Sequence, residues 1–437
     1  MLYRKIESYI ENHFLSNQEK VLIIDGARQI GKSYIIRHTG SRLFTNFVEI
    51  NLLEDVVGAR IFSNIKSVED FYLQLSIVAG DKLDTQENTL IFLDEIQEYP
   101  QLLTLLKFLK SDNRFNFIAS GSLLGVTLAQ TTSIPIGSIE IKHMYALDFE
   151  EFLIANRFGS FAIETIREKF EACESLDENI HNKLLDLFRK YLLVGGLPDA
   201  VNEYIASQNI VRVRQIQNDI HNFYGLDAAK YDKEHKLKIK RIYDMIPSNL
   251  EKTKKRVIIK DIEEKKSRTS DYNDEFDYLI NAGIALEVKA ISNPKFPLIE
   301  SSGKNLLKLY LNDVGLLTNL LYRNNIMAIL NDENCINLGS VYESVVASEL
   351  TAHGHKLHYY DNKSKGEIDY IIDNYDLLSV MPIEVKSGKD YSTHRALSNF
   401  AKNAEYQIKM ACVLSNEREI KKEGNILYLP IYFVMFL

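Results

Sequence analysis

The sequence predicts an α/β chain, with a parallel sheet in its first third, helices in its middle and a second α/β region at its end. Three observations predict this. Between residues 21 and 147, short apolar runs alternate with helical patterns, and such runs read as buried strands. From 148 to 225 the pattern is helical, "NKLLDLFRKYLLVGG" being its clearest amphipathic stretch. From "NLGSVYESVVASELTAHGHKLHYY" onward, a helix is followed by the strand-like runs "KLHYY", "EIDYIID" and "MPIEVKS".

The chain has 437 residues, too many for one ordinary core and suited to two to four domains. Its 46% hydrophobic and 26% charged content is that of a globular protein. No apolar run approaches the ~18–20 residues that cross a membrane. The start, "MLYRKIESYIENHF", is charged and amphipathic and lacks a signal-peptide core. Cys173, Cys335 and Cys412 are far apart and odd in number, which suggests reduced core thiols in a cytoplasmic protein and not a disulfide framework or a zinc site; with no spanning run, no membrane partner is expected. A net charge of −8 argues against wholesale nucleic-acid coating and leaves room for a local basic patch. With 8 prolines, 20 glycines and no low-complexity linker, the domains are expected to pack together.

The first strand, Val21 to Ile24, runs into Gly26-Ala-Arg-Gln-Ile-Gly31-Lys32-Ser33, a complete G-x-x-x-x-G-K-S, and an amphipathic helix follows. Strand, glycine loop and helix form the context this motif requires. The glycines let backbone N–H groups curl around phosphates, and the helix N-terminus adds partial positive charge. Lys32 then reaches the β- and γ-phosphates and Ser33 ligates Mg²⁺. The plainer reading is a glycine turn between a strand and a helix. "LFTNFVEIN" (43–51) is the next strand and "SVEDFYLQLSIVAG" (67–80) the next helix.

"NTLIFLDEIQEYP" holds another strand, Leu90 to Leu93, ending in Asp94-Glu95 about sixty residues after the loop. That is a Walker B pattern: Asp94 would hold Mg²⁺ through water, and Glu95 would polarise the attacking water. "YPQLLTLLKFLKS" (99–111) reads as a helix and "FNFIASGS" (115–122) as a strand. Ser120 or Ser122 stands where a residue would sense the γ-phosphate; the alternative is a simple strand-end turn. "GSIEIKHMYAL" (137–147) completes the set. Alternating elements with buried strands make a parallel sheet covered on both faces, which binds ligands at the carboxyl ends of its strands.

Beyond 225, three helical segments end at Asn281-Ala-Gly283, and "IALEVKA", a Pro-containing turn and "LLKLYL" follow. Helices and then a small hairpin describe a winged helix. Lys252, Lys254, Lys255, Arg256, Lys260, Lys265, Lys266 and Arg268 crowd it, and such charges can neutralise phosphates, with "SRTSDYNDEFDYLINA" as groove helix. Asp271, Asp274, Glu275 and Asp277 on that same segment would repel a phosphate backbone, and a pure packing module is the other reading.

In the last region the order is helix, three strands, helix, then strands "MACVLS" and "ILYLPIYFV". Residues i and i+2 on a strand share a face, so Glu384 and Lys386 meet. An adjacent strand brings Asp369, and Glu343 reaches in from the helix. Three carboxylates make an all-oxygen Mg²⁺ site, with Lys386 orienting a water that the metal activates. E-x-K alone is uninformative, for Glu140-Ile-Lys142, Glu234-His-Lys236, Glu287-Val-Lys289 and Glu419-Ile-Lys421 share it. Only 369–386 adds a strand aspartate and an upstream helical glutamate. The competing reading is a non-cutting scaffold in which Asp369 and Glu384 pair with Lys386 and Lys365. His353, His355 and His358 read as surface residues of a strand, not as zinc ligands.

"GARQIGKS", "LIFLDEIQ", "IASGSLL", "ALDFEEFL" and "GGLPDAV", in that order, resemble the AAA-type P-loop ATPases of bacteria and archaea that carry a C-terminal domain of uncharacterised function. The final helix–strand pattern resembles the core of the PD-(D/E)xK nuclease superfamily, with Ile368 standing where its signature has proline. The resemblance implies a P-loop NTPase with an AAA-type parallel sheet (1–150), a helical lid holding "GGLPDAV" (151–225), a winged-helix-like domain (226–325) and an α/β nuclease-like domain (326–437). Where the pattern would have Gly-Arg, this chain has Gly137-Ser138, so no arginine finger is assigned. The expected function is ATP binding and hydrolysis with Mg²⁺, joined to a nuclease-like domain acting on DNA or RNA, in a candidate homo-oligomer. The alternative is a nucleotide-switched nucleic-acid- or protein-binding regulator that does not cut.

Overall fold

Apolar strands without alternation need cover on both faces, and the first region supplies it. The computed structural model describes the chain except residues 1, 17–18, 84–87, 123, 126–136, 232–235, 263–268, 301–302, 332–335, 337, 363–365 and 388–393. Lys265, Lys266, Arg268, Cys335 and Lys365, singled out above, lie outside the described residues. The chain divides into two units, residues 1–145 with 281–283, and residues 146–280 with 284–437.

In the first unit, β1 (Val21–Asp25), β2 (Asn46–Asn51), β3 (Thr89–Asp94), β4 (Asn116–Gly121) and β5 (Ile139–His143) form a parallel sheet in the order β2-β3-β4-β1-β5. β1 and β3 are buried along their whole length. Helices Lys5–Leu15, Lys32–Leu43, Val68–Ala79 and Pro100–Asp112 accompany the sheet. Their starts are written locally. Ser67 accepts the Asp70 N–H at 3.1 Å, and Pro100 opens its helix. Phe71, Leu102, Leu106 and Phe117 join the strand side chains in one core. Two expected strands are shorter than the apolar runs suggested. The second starts at Asn46, because the preceding helix keeps Leu43, and β5 stops at His143.

The second unit begins with helices Phe149–Ala155, Ser160–Glu171, Glu178–Val194, Pro198–Ser207, Ile210–Tyr231 and Lys236–Leu250. It then builds β6 (Ala285–Ile291), β7 (Gly303–Leu311), β8 (His358–Asn362), β9 (Gly366–Asn374), β10 (Ser379–Val385), β11 (Ala411–Ser415), β12 (Lys421–Glu423) and β13 (Ile426–Pro430). These make one sheet in the order β12-β13-β11-β10-β9-β8-β6-β7. The hairpin expected of a small wing is present, β6 pairing antiparallel with β7. It does not stand alone. β6 also pairs in parallel with β8, because its outer edge, with Val288 and Ala290 fully buried, needs a partner. The expected terminal strand ends at Pro430, and a 3₁₀ run, Ile431–Phe436, follows. Proline has no N–H to extend the ladder. Among the described residues no helix is long and apolar enough to cross a membrane.

A buried aspartate ties the "GGLP" turn to this unit. Asp313 caps helix Val314–Tyr322 by accepting the Leu316 N–H at 3.0 Å, and it accepts the Gly196 N–H at 2.7 Å. Gly195 has φ +70°, and a Cβ there would lie 2.2 Å from Asp313 Oδ1, so only glycine fits. Burial raises the Asp313 carboxyl from 3.8 to about 6, against the backbone N–H bonds that pull it down. The folded state therefore holds this proton at pH values where the unfolded chain has released it. The Asp313 contribution is full below pH 3.8 and is lost as pH rises through 6. The loss amounts to roughly 3 kcal/mol. Urea denaturation at pH 4.5 and 7.5 should show this slope in the wild type and a flatter one in Asp313→Asn.

Candidate functional site

The sheet order decides what meets at the carboxyl ends of the first unit's strands. β4 lies between β1 and β3, with Ile24 opposite Ser120 and Leu93 opposite Ala119. The loop after β1 and the acids after β3 therefore flank the end of β4. Gly26 has φ +143°, and a Cβ there would come within 2.2 Å of the Met144 carbonyl. Gly31, at φ +90°, caps the helix that opens with Lys32. Both glycines are required by the backbone and not merely permitted.

Lys32 is buried, and its Nζ donates to the carbonyls of Gly26 at 2.9 Å and Ala27 at 2.7 Å. It closes the loop on itself. Burial lowers its pKa, opposed by the charges of Glu95, Asp25 and Asp94. Ser33 Oγ donates to Asp94 Oδ1 at 2.9 Å, and Ser120 Oγ donates to the same oxygen. Burial raises the Asp94 carboxyl, while the Ser120 and Ser33 hydroxyls hold it down. A hydroxyl and a carboxylate in contact, beside a lysine and a loop of backbone donors, fit a magnesium–triphosphate in kind. Ser33 and Asp94 are the residues that would hold the cation.

Glu95 stands on the turn after β3 with φ +57°, a left-handed conformation rare outside glycine and characteristic of functional turns. Its Oε2 accepts from Ser122 Oγ at 3.2 Å and from Gln97 Nε2. Ser122 N–H in turn donates to Gln97 Oε1 at 3.2 Å. Both strand-end serines are thus engaged, Ser120 with Asp94 and Ser122 with Glu95. Sequence reasoning passed over Gln97, whose spacing after Asp94-Glu95 was the available signal. It also passed over Arg28, whose Nε donates to Ser122 Oγ at 3.3 Å. Arg4 was missed too. It is buried and donates to the carbonyls of Ile30 at 3.0 Å and Tyr145 at 2.6 Å, bracing the loop from outside.

In the second unit, Glu343 lies on helix Gly339–Ala352, Asp369 on β9 and Glu384 on β10, with Lys386 just beyond. The β9–β10 ladder pairs Tyr370 with Ile383 and ends there. Asp369 Oδ2 takes over from the ladder by accepting the Val385 N–H at 2.8 Å. Lys386 Nζ lies 2.8 Å from Glu384 Oε1, as the i, i+2 spacing requires, while Glu384 Oε2 is buried without a hydrogen-bond partner. Burial raises the Asp369 carboxyl well above its ordinary value, and the charges of Glu343 and Glu384 raise it further. Burial also raises Glu384, opposed by Lys386. The three acids thus face one another. Even so, among the described residues no three His, Cys, Asp or Glu groups are placed to hold a metal ion.

Cations line the cluster instead. Lys255 Nζ donates to Glu343 Oε1, and Tyr310 OH donates to Oε2 at 3.1 Å. Lys308 Nζ is 2.6 Å from Glu367 Oε1. Lys254 lies 3.2 Å from Asp361, and Arg256 pairs with the same carboxylate. Lys252 lies 2.6 Å from Asp261. Four of the basic residues expected to crowd a phosphate-facing surface are therefore engaged with carboxylates of their own unit. The histidines are half-buried and not surface residues of one strand. His353 follows the helix, with Nδ1 2.9 Å from the Leu437 carbonyl, and only His358 lies on β8.

Residues 18–153 match the family model described as AAA domain. Residues 185–326 match a domain of unknown function (DUF8612), and residues 338–434 match another (DUF4143). No curated protein has a sequence that matches this chain. Among solved structures, the chain is similar to the Aeropyrum pernix ORC1 protein in complex with DNA, at 14% identity and a TM-score of 0.32, covering 76% of this chain and 94% of that one. It is also similar to the S. cerevisiae Hsp104–ADP complex, at 13% and 0.31, covering 64% of this chain and 37% of that one. For C. elegans PCH-2 the values are 14% and 0.28, with 48% and 65% covered. The chain spans less than two thirds of the length of these last two.

Proposed function

We propose that the protein is an AAA-type P-loop ATPase that binds and hydrolyses ATP with Mg²⁺, carried on one chain with a nuclease-like unit that acts on DNA or RNA. The observation that carries the ATPase reading is the contact of Ser33 and Ser120 with one oxygen of Asp94, beside the loop that Lys32 closes. Bound Mg²⁺ supplies charge stabilisation to the phosphates. The loop N–H groups cradle those phosphates, and Lys32 exchanges two backbone carbonyls for phosphate oxygens. Glu95 orients the attacking water and takes its proton. The domain limits follow the sequence reading: ATPase 1–150, helical lid 151–225, winged-helix-like 226–325 and nuclease-like 326–437. A homo-oligomer fits a site to which this chain brings Ser138 where an arginine finger would stand, and the two described cysteines, both free thiols, fit a cytoplasmic protein.

The decisive experiment is binding of a fluorescent ATP analogue and phosphate release with Mg²⁺. Wild type should do both, and Lys32→Ala should weaken binding at least tenfold. A wild type that neither binds nor hydrolyses ATP overturns the reading. A second reading, a nucleotide-switched regulator that does not cut, is favoured by the lysine seated on Glu343. Mg²⁺-dependent nicking of nucleic acid that Glu384→Ala abolishes decides for the first reading. ATP turnover without nicking decides for the second.

A further inference from the structure

An ammonium group and a divalent metal ion compete for the same thing, a carboxylate oxygen in a site poor in water. Glu343 offers Oε1 to Lys255 and Oε2 to the Tyr310 hydroxyl, so each oxygen already has a donor and a metal would have to compete with the Lys255 ammonium for Oε1. Across from it, Glu384 is 8% exposed, and its Oε2 is buried without a partner. The cluster therefore holds one acid with a donor on each oxygen and another with one oxygen left unpartnered. A metal ion bridging the two would satisfy the orphaned oxygen; a lysine anchored on Glu343 does not.

Polar contacts hold the segment that delivers the lysine. Residues 251–257 are exposed or half-buried throughout. Ion pairs and one hydroxyl hold them: Lys252 to Asp261, Lys254 and Arg256 to Asp361, and Ser340 Oγ donating to Glu251 Oε1 at 2.6 Å. One backbone bond, Val257 N–H to the Leu307 carbonyl at 3.0 Å, ties the segment to β7. Lys255 itself sits at φ +47°, left-handed backbone that costs a non-glycine residue free energy and persists only where surroundings enforce it. No residue of the segment is fully buried; its exposed pair, Lys252 with Asp261, is weak and screened by salt, whereas the shielded Asp361 and Glu343 carboxylates hold their cations more firmly.

We infer that Lys255 is a built-in cation that closes the C-terminal acid cluster, and that Glu343, Asp369 and Glu384 take a divalent cation only when residues 251–257 withdraw. This rests on reading the last unit as nuclease-like, and it adds a gate to that site. The closed form needs no metal, since Lys255, Lys308 and Lys386 supply its positive charge. The open form exchanges the Lys255 ammonium for a hard cation and frees the Lys255 backbone from its left-handed turn.

Terbium luminescence tests this on the full chain without nucleotide. The protein has no tryptophan, so tyrosines alone sensitise the ion, and Tyr310 is bonded directly to Glu343. Lys255→Met should bind Tb³⁺ at least tenfold more tightly than wild type, with Mn²⁺ competing, and Lys255→Arg should stay closed. Adding Glu384→Gln to Lys255→Met should erase the gain. If wild type and Lys255→Met bind equally and Glu384→Gln weakens both, the metal site stands and the gate is overturned. If neither binds, the metal reading of this unit itself falls. A gain that survives Glu384→Gln places the ion elsewhere and also overturns the gate. A variant that fails to fold leaves a measurement on wild type: amide exchange of residues 251–257 should quicken when Mn²⁺ is added, and unchanged exchange under saturating Mn²⁺ overturns the gate.

Discussion

Replacing Glu95 by Gln should slow ATP hydrolysis by about 10²–10⁴-fold, the range for losing a positioned general base, while ATP still binds. The substitution keeps the side-chain volume and a hydrogen-bonding group for Ser122 and Gln97, which hold Glu95 in place. It removes only the capacity to take a proton. Binding should survive because phosphate contact belongs to the loop and Lys32, and the metal contact to Ser33 and Asp94, none of which Glu95 touches in a described bond. Steady-state phosphate release set against binding of a fluorescent ATP analogue separates the two. The left-handed backbone at Glu95 sharpens the expectation. A strained residue holds its side chain in one direction, and here that direction is toward the end of β4. Gln97→Ala and Ser122→Ala should each give a smaller loss than Glu95→Gln, since they free the base without removing it. A Glu95→Gln protein that turns over ATP at the wild-type rate would move the base elsewhere.

The two units differ in how much of their sites could be read from sequence, and the difference is physical. The phosphate loop is local. Strand, turn and helix lie within one short segment, and each residue's role follows from its neighbours, down to the two glycines whose missing Cβ atoms the backbone demands. The placement of Ser120 on Asp94 is not local. It depends on β4 lying between β1 and β3, and alternating elements specify a parallel sheet without specifying its order. Arg4 and Arg28 escaped notice for the same reason, since their partners are carbonyls and a hydroxyl that only the folded chain brings near.

In the second unit the strand spacing was legible. Glu384 and Lys386 share a face at 2.8 Å because a strand repeats every two residues. The partners of Glu343 were not legible. Lys255 lies 88 positions upstream, inside a run of basic residues that reads naturally as a phosphate-facing surface. A charge run shows its sign in sequence but not its partner. Here the partners are carboxylates on the short helix Ile259–Ile262, on β8 and on the helix Gly339–Ala352. The hairpin β6–β7 shows the same limit, for its strands were evident while their union with β8 was not.

Lys308→Met should destabilise the second unit by about 3–5 kcal/mol at neutral pH, the cost of taking a buried cation away from the acids around it, the buried Asp369 among them. Lys308 is fully buried on β7, and its Nζ lies over the Tyr359 ring, 4.6 Å from the centroid, and 2.6 Å from Glu367 on β9. Burial pulls its pKa down, yet the charges of Glu343, Glu367 and Asp369 outweigh burial and leave it raised. A raised lysine contributes fully below its unfolded pKa, so in wild type the pair is intact across the physiological range. In Lys308→Met that compensation is gone, and Asp369, already raised by burial and by Glu343 and Glu384, rises further. An acid with a raised folded pKa adds stability as pH falls. The deficit of Lys308→Met should therefore shrink between pH 7.5 and 4.5. Amide exchange of residues 306–311 and 339–352 at the two pH values, corrected for intrinsic rates, measures it within the second unit. Replacing both members, Lys308→Met with Glu367→Leu, should recover much of the loss, because an apolar pair of similar volume often stands in for a buried ion pair at little cost. A single variant as stable as wild type at pH 7.5 would mean that the carboxylates are held by Lys255 and Lys386 alone.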